Sequence, residues 1–223
     1  GDSIHEVMST AFPITCLVPG PWPDAAKAPM LGHGWSVTWI ENDGQFGHAF
    51  AGTGFPASLV GELDRCPGAL IVEGQVDPLS DSAQLVTLAR ALLGESALAV
   101  RVEQSRAGWT AADWCALLSA GQLMRALVVL VSDDERITSC GMHVFGLADA
   151  EVDDVDEGSR LVDALCTYQI NERPLLLSGH TFRPDDDAPM RTLERWPDGS
   201  FPQTHPSWNP FGVWRLQARS DRR

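Results

Sequence analysis

Positive charge is scarce in this chain. Lysine occurs once, at Lys27, and Lys plus Arg total 16 against 30 Asp plus Glu, leaving a formal charge of −14 over 223 residues. Nucleic acid and anionic membranes both need cationic surface, so neither is expected as a partner. No apolar run approaches the ~20 residues that span a bilayer. The first residues lack the basic, apolar, small-residue order of a signal peptide, so a cytoplasmic location is the expectation. The five cysteines (Cys16, Cys66, Cys115, Cys140, Cys166) include no Cys-x-x-Cys pair. They read as reduced and mostly buried thiols, not as a disulfide framework. Gly52-Thr53-Gly54 has no phosphate-loop lysine beside it, and neither a strand–GxGxxG–helix unit nor a Gly-x-Ser-x-Gly elbow occurs. No cofactor is expected.

What is present is an ordinary globular composition, 44% hydrophobic and 21% charged, in a chain long enough to bury a core without staples. Ile14 to Val18 is a strand candidate, stopped by Pro19-Gly20-Pro21-Trp22-Pro23. Trp35, Val37 and Trp39 alternate with polar residues as a half-buried strand does. Asn42-Asp43-Gly44 then predicts a turn, with Gln45 to Phe50 returning as a hairpin partner. Pro56 to Arg65 reads as a short helix and Ala69 to Val72 as a strand. Asp81 is placed to cap a helix whose buried stripe is Leu85, Leu88 and Leu92, ended by Gly94. Leu98, Val100 and Val102 mark the next strand. Thr110 with Asp113 makes a capping box ahead of Trp114, Leu117 and Leu118. The continuous run Ala126 to Val131 suits a central strand buried on both faces. Asp133-Asp134-Glu135 turns the chain so that Arg136 to Cys140 pairs back. Leu161, Leu165 and Tyr168 mark a helix from about Glu157 to Asn171, and strands are expected at Leu175 to Phe182, Met190 to Trp196 and Val213 to Gln217.

These elements imply a single α+β domain over residues 8–218. It has a mixed β-sheet with strand–helix–strand units in the centre, an antiparallel C-terminal part, and helices packed on the sheet. Gly1 to Val7, ahead of Met8, read as an expression scar or flexible N-terminus.

Four strings occur in order: Pro19-Gly20-Pro21-Trp22; Ser139-Cys140-Gly141-Met142-His143 with Phe145-Gly146-Leu147; Gly179-His180-Thr181-Phe182; and Asn209-Pro210-Phe211-Gly212 with Trp214-Arg215-Leu216. Together they resemble a bacterial domain family of unknown function, over about Ile14 to Leu216. The resemblance carries no catalytic residue across. Some bacterial families of this type sit beside secreted toxins as immunity proteins, which offers an analogy for function.

The central string admits three chemistries. Cys140 and His143 could form a nucleophile and its base, or half of a metal site with His180 and Cys166. In the third reading, Gly141 and Gly146 shape a turn in which His143 is a hydrogen-bonded anchor. The missing third partner and the single short-spaced ligand pair favour the turn, so no metal is expected. Downstream, Asp149, Glu151, Asp153, Asp154, Asp156 and Glu157 form an acidic stretch read as surface, its last members favourable ahead of a helix. Asp185, Asp186 and Asp187 add a second patch. Neither has the alternating ligands and glycine of a calcium loop. The expectation is a non-enzymatic binding protein, of the immunity type, whose acidic residues Asp153, Asp154, Asp156, Glu157, Asp185, Asp186 and Asp187 meet a basic protein partner. The alternatives are a thiol-dependent enzyme using Cys140 and His143, or a regulatory module with some other ligand.

Overall fold

The computed structural model describes residues 11–153 and 155–218, so the segment before Met8 and Asp154 lie outside the described residues. The chain runs β1 (Phe12–Gly20), β2 (Trp35–Glu41), α1 (Phe46–Phe50), α2 (Val60–Leu63), β3 (Gly68–Val76), α3 (Ser82–Gly94), β4 (Ala99–Val102), β5 (Ala107–Thr110), α4 (Ala111–Ser119), α5 (Leu123–Leu127), β6 (Val129–Ser132), β7 (Ile137–Cys140), β8 (Asp149–Val152), α6 (Val155–Glu172), β9 (Thr181–Phe182), β10 (Arg191–Trp196) and β11 (Val213–Ala218). The fold is α+β, as the pattern implied, but its strands divide into two sheets. The first has the order β2-β3-β1-β4-β5 and the second β6-β7-β8-β11-β10-β9.

All pairs in the first sheet are antiparallel. β1 lies between β3 and β4, so those two run parallel with α3 crossing between them, a strand–helix–strand unit split by the first strand. Alternation along β1 sends Ile14, Cys16 and Val18 to one face and Leu17 to the other. The first set packs with Leu85, Leu88 and Leu92 of α3 and with Trp114 and Leu118 of α4. Leu17 joins Phe46, Phe50 and Leu63, contributed by α1 and α2, on the opposite face. Each large side chain buried in this way contributes about 1.5–3 kcal/mol as an upper estimate. The second sheet has one parallel pair, β8 with β11. Ile137, Ala150, Val152, Leu161, Leu165, Trp214 and Leu216 join the same core as the first sheet's residues.

Four expectations are corrected. Gln45 to Phe50 is not a returning strand: Asp64 accepts from the Gly47 amide at 2.7 Å and holds α1 against α2, while β2 pairs with β3 instead. The run Ala126 to Val131 is divided, because Ala126 and Leu127 finish α5 and Trp114 Nε1 donates to the Ala126 carbonyl at 3.2 Å. The rest of the run enters β6, an edge strand with an exposed outer half. Asp81 precedes α3, but its side chain accepts no capping hydrogen bond; its carbonyl takes the Gln84 amide. Of Leu175 to Phe182 only Thr181 and Phe182 form a strand. The capping box at Thr110 and Asp113 is present, with Asp113 N to Thr110 Oγ1 at 3.0 Å.

Candidate functional site

The central string is a turn between β7 and β8. Gly141 has φ +113° and Gly146 φ +71°, conformations that side chains other than glycine's resist. Space agrees with the dihedrals. A Cβ on Gly141 would lie 2.7 Å from Ser105 Cβ and 2.8 Å from the Leu127 carbonyl oxygen, and one on Gly146 would lie 2.6 Å from the Phe12 ring. Between them Met142, Val144 and Phe145 are buried in one helical turn.

Cys140 and His143 do not meet in a hydrogen bond. The thiol donates to the Gln104 carbonyl at 3.6 Å, and His143 Nε2 donates to the Pro206 carbonyl at 3.0 Å, which fixes the neutral tautomer. Burial pushes the Cys140 thiol well up, with Asp149 and Asp198 adding to the rise against Arg106 and Ser207. Burial also holds the imidazole below its ordinary value, against the Pro206 bond and Asp198. A protonated thiol and an imidazole committed elsewhere make a poor nucleophile and base. Among the described residues no three His, Cys, Asp or Glu side chains are grouped to hold a metal ion.

The string is instead fastened to the C-terminal one. Asp149, on β8, accepts from Ser139 Oγ at 2.8 Å, the Met142 amide at 3.2 Å and Asn209 Nδ2 at 2.6 Å. Asn209 also donates to the Leu147 carbonyl and accepts from the Phe211 amide. All three groups around the carboxyl are donors, the arrangement that suits an ionised acid. Burial nonetheless outweighs them and raises Asp149 to about 6. The proline-rich loop is pinned as well: Asp198 accepts from the amides of Ser200 and Asn209, and Ser207 Oγ donates to the Glu103 carbonyl.

Asp149 and Glu151 are therefore not surface acids, as the stretch from Asp149 to Glu157 suggested; both are buried on an inner strand. Glu151 forms an ion pair with Arg215, Nε to carboxylate oxygen 2.7 Å, and accepts a hydrogen bond from Arg136 at 3.3 Å. Arg215 lies over the Trp196 ring, and Arg195 over Trp214.

The remaining acids behave differently. Asp153, Asp156, Glu157, Asp185, Asp186 and Asp187 are all exposed. Arg160, on α6, pairs with Glu157 at 3.3 Å and with Asp185, so it joins the two segments on one face. Arg136 engages Asp153 at 3.7 Å and Arg183 engages Asp186 at 2.6 Å. Asp156 and Asp187 have no ion-pair partner among the described residues. Beside the Asp185 segment opens a hollow of about 870 Å³ whose lining mixes Tyr168, Leu175, Phe182 and Met190 with His180, Thr181 and Arg183; Leu175 is 82% exposed. A larger groove, of about 1160 Å³, opens over Cys140 and along β6. Sequence reading missed this groove, the hollow and the bridging role of Arg160, since none leaves a periodic signal.

No protein-family model, curated protein or solved structure matches the chain. Function is therefore argued from the site itself.

Proposed function

We propose that this protein is a non-enzymatic binding protein for a basic protein partner, with neutralisation of a toxin as its biological setting. The observation that carries the reading is Arg160, which draws Glu157 and Asp185 onto one face from segments far apart in sequence. Three arginines engage four of the six described acids, Asp156 and Asp187 have no ion-pair partner among the described residues, and an exposed hollow lined by both apolar and polar residues, Arg183 among them, opens beside the Asp185 segment. An apolar centre with a charged rim is the common anatomy of a protein–protein interface. The rim sets association rate and partner choice more than affinity. Thiol chemistry has less behind it, because Cys140 and His143 are hydrogen-bonded to different carbonyls.

Co-expression with the product of the neighbouring gene tests the reading. Relief of toxicity and one-to-one co-purification are expected. Association should slow as salt shortens the reach of the field, whose screening length is about 8 Å at physiological ionic strength. Asp156→Lys with Asp187→Lys should slow association by about tenfold at low salt; because Asp156 lies in the first turn of α6, its reversal should also lower stability by about 1 kcal/mol, a loss that unfolding of the free variant measures separately. An association rate and salt dependence that both survive the double change would remove the acidic face from the mechanism.

A further inference from the structure

We infer that the outer edge of β6 is a docking slot for an extended segment of the basic partner, which would add a strand to the second sheet. This rests on the basic-partner reading and assigns it a second contact.

The edge follows from the hairpin register. β6 pairs with β7 through Val129↔Cys140, Leu130↔Ser139, Val131↔Thr138 and Ser132↔Ile137. The Asp133 amide donates to the Arg136 carbonyl at 3.0 Å, so those residues form a hydrogen-bonded pair across the turn. Antiparallel ladders alternate between hydrogen-bonded and non-hydrogen-bonded pairs. Val131 and Val129 are thus bonded to β7, and the amides and carbonyls of Leu130 and Ser132 point outward. Among the described residues no strand pairs with that side.

Proteins usually blunt such an edge with lysine, proline, a bulge or a covering loop. The free edge of β5 is covered in this way, the Gly108 amide meeting the Thr53 carbonyl. β6 reads Val-Leu-Val-Ser and is protected only by its shortness: among the described residues it carries no lysine, proline, bulge or covering strand, and Val131 is 53% and Leu130 37% exposed. Space is also provided. Every residue from Val128 to Asp133 lines the large groove, along with Thr138 and Glu151 on one side of the sheet and Thr167 and Ile170 of α6 on the other. The open volume therefore wraps the edge. An added strand would place alternate side chains over Val129 and Val131 and the others beside Met124 and Ile170.

Charge selects the occupant. Of the groove's charged residues, Asp149 and Glu151 are buried and already engaged and Arg136 is committed to Glu151, which leaves Asp133, Asp163 and Asp198 against Arg106 and Arg125. Asp134 and Glu135 stand at the tip of the same hairpin. A segment with apolar residues at every second position and Lys or Arg at the end beside that tip fits backbone, side chains and charge together. In this mode main-chain bonds supply affinity and alternate side chains supply specificity.

The probe is a phage-displayed library of random peptides, panned on the whole protein, with enriched sequences then made synthetically. Enriched peptides should alternate apolar and polar residues and carry Lys or Arg near one end. Adding one should slow hydrogen exchange at the Leu130 and Ser132 amides by about tenfold or more. Leu130→Pro removes an outward amide with no hydrogen-bond partner among the described residues, a place where an edge strand tolerates proline. It should weaken peptide binding at least about tenfold with the unfolding midpoint nearly unchanged. If that variant fails to fold, exchange on the unaltered protein still decides. No enrichment, unchanged exchange at the two amides, or enriched peptides without basic residues would each overturn the assignment. So would a free-protein dimer dissociated by peptide, since the edge would then belong to a second copy. The Asp156→Lys, Asp187→Lys protein should bind the peptide normally. Loss of partner steering and loss of the slot are therefore read separately.

Discussion

Replacing Asn209 with alanine should destabilise the protein in a way that depends on pH, and the dependence is the informative part. Asn209 makes three side-chain hydrogen bonds: to Asp149 at 2.6 Å, to the Leu147 carbonyl at 3.1 Å and from the Phe211 amide at 2.8 Å. A neutral bond contributes about 1 kcal/mol net and one to a charged group about 1.5–3 kcal/mol, so the loss at pH 7.5 should be about 3–5 kcal/mol. Asp149 sets the pH behaviour. Its folded-state value is raised from 3.8 to about 6, chiefly by burial, so the folded protein holds this proton more tightly than the unfolded chain. Its contribution to stability is therefore fully present below about pH 4. It declines as pH rises through about 6, by about 3 kcal/mol in all. Asn209 is the strongest of the groups that lower the value, and without it Asp149 should titrate higher still. Near pH 5 the carboxyl is largely protonated, and the variant should lose only about 2–3 kcal/mol. Urea unfolding of both proteins at pH 5 and pH 7.5 measures the difference directly. Equal losses at the two pH values, or a loss under about 1 kcal/mol at pH 7.5, would refute the assignment of Asp149 as a buried acid balanced by Asn209.

Two more outcomes concern the same turn and the buried thiols. Gly141→Ala should cost at least about 2 kcal/mol in chemical denaturation, through its left-handed backbone and the overlap with Ser105 and Leu127; a change within about 0.5 kcal/mol would contradict the packing described. Cys16, Cys140 and Cys166, whose thiols burial holds well up, should resist a thiol reagent at pH 7.5 in the native protein and react on unfolding. Rapid native labelling of Cys140 would reopen the reading of that residue as a nucleophile.

Local pattern carried the elements whose partners lie nearby in sequence. The stripe Leu85, Leu88 and Leu92, the box at Thr110 and Asp113 and the alternation of Trp35, Val37 and Trp39 all depend on spacings of two to four residues. They appear as α3, the start of α4 and β2. Where the deciding contact was distant, the pattern misled. Gln45 to Phe50 is apolar enough for a strand, but a carboxylate seventeen residues away caps it as a helix. Ala126 to Val131 is apolar enough for a buried strand, yet Leu130 and Val131 stand at a sheet edge. Asp149 and Glu151 carry the same side-chain chemistry as Asp153 and Asp156. Burial separates them, because Asn209, Ser139, Arg215 and Arg136 arrive from other elements to partner the inner pair.

The sequence by itself determined the α+β class, the main helices and strands, the surplus of acid and the glycine turn after Cys140. Each of these depends on composition or on neighbours within one turn or one pleat. Only the tertiary structure decided which acids are buried, that Arg160 joins two of the exposed groups, and that β6 leaves an open edge beside a groove. Those are consequences of strand order and packing, in which residues 60 or more positions apart come within hydrogen-bond distance, and no local spacing records such encounters.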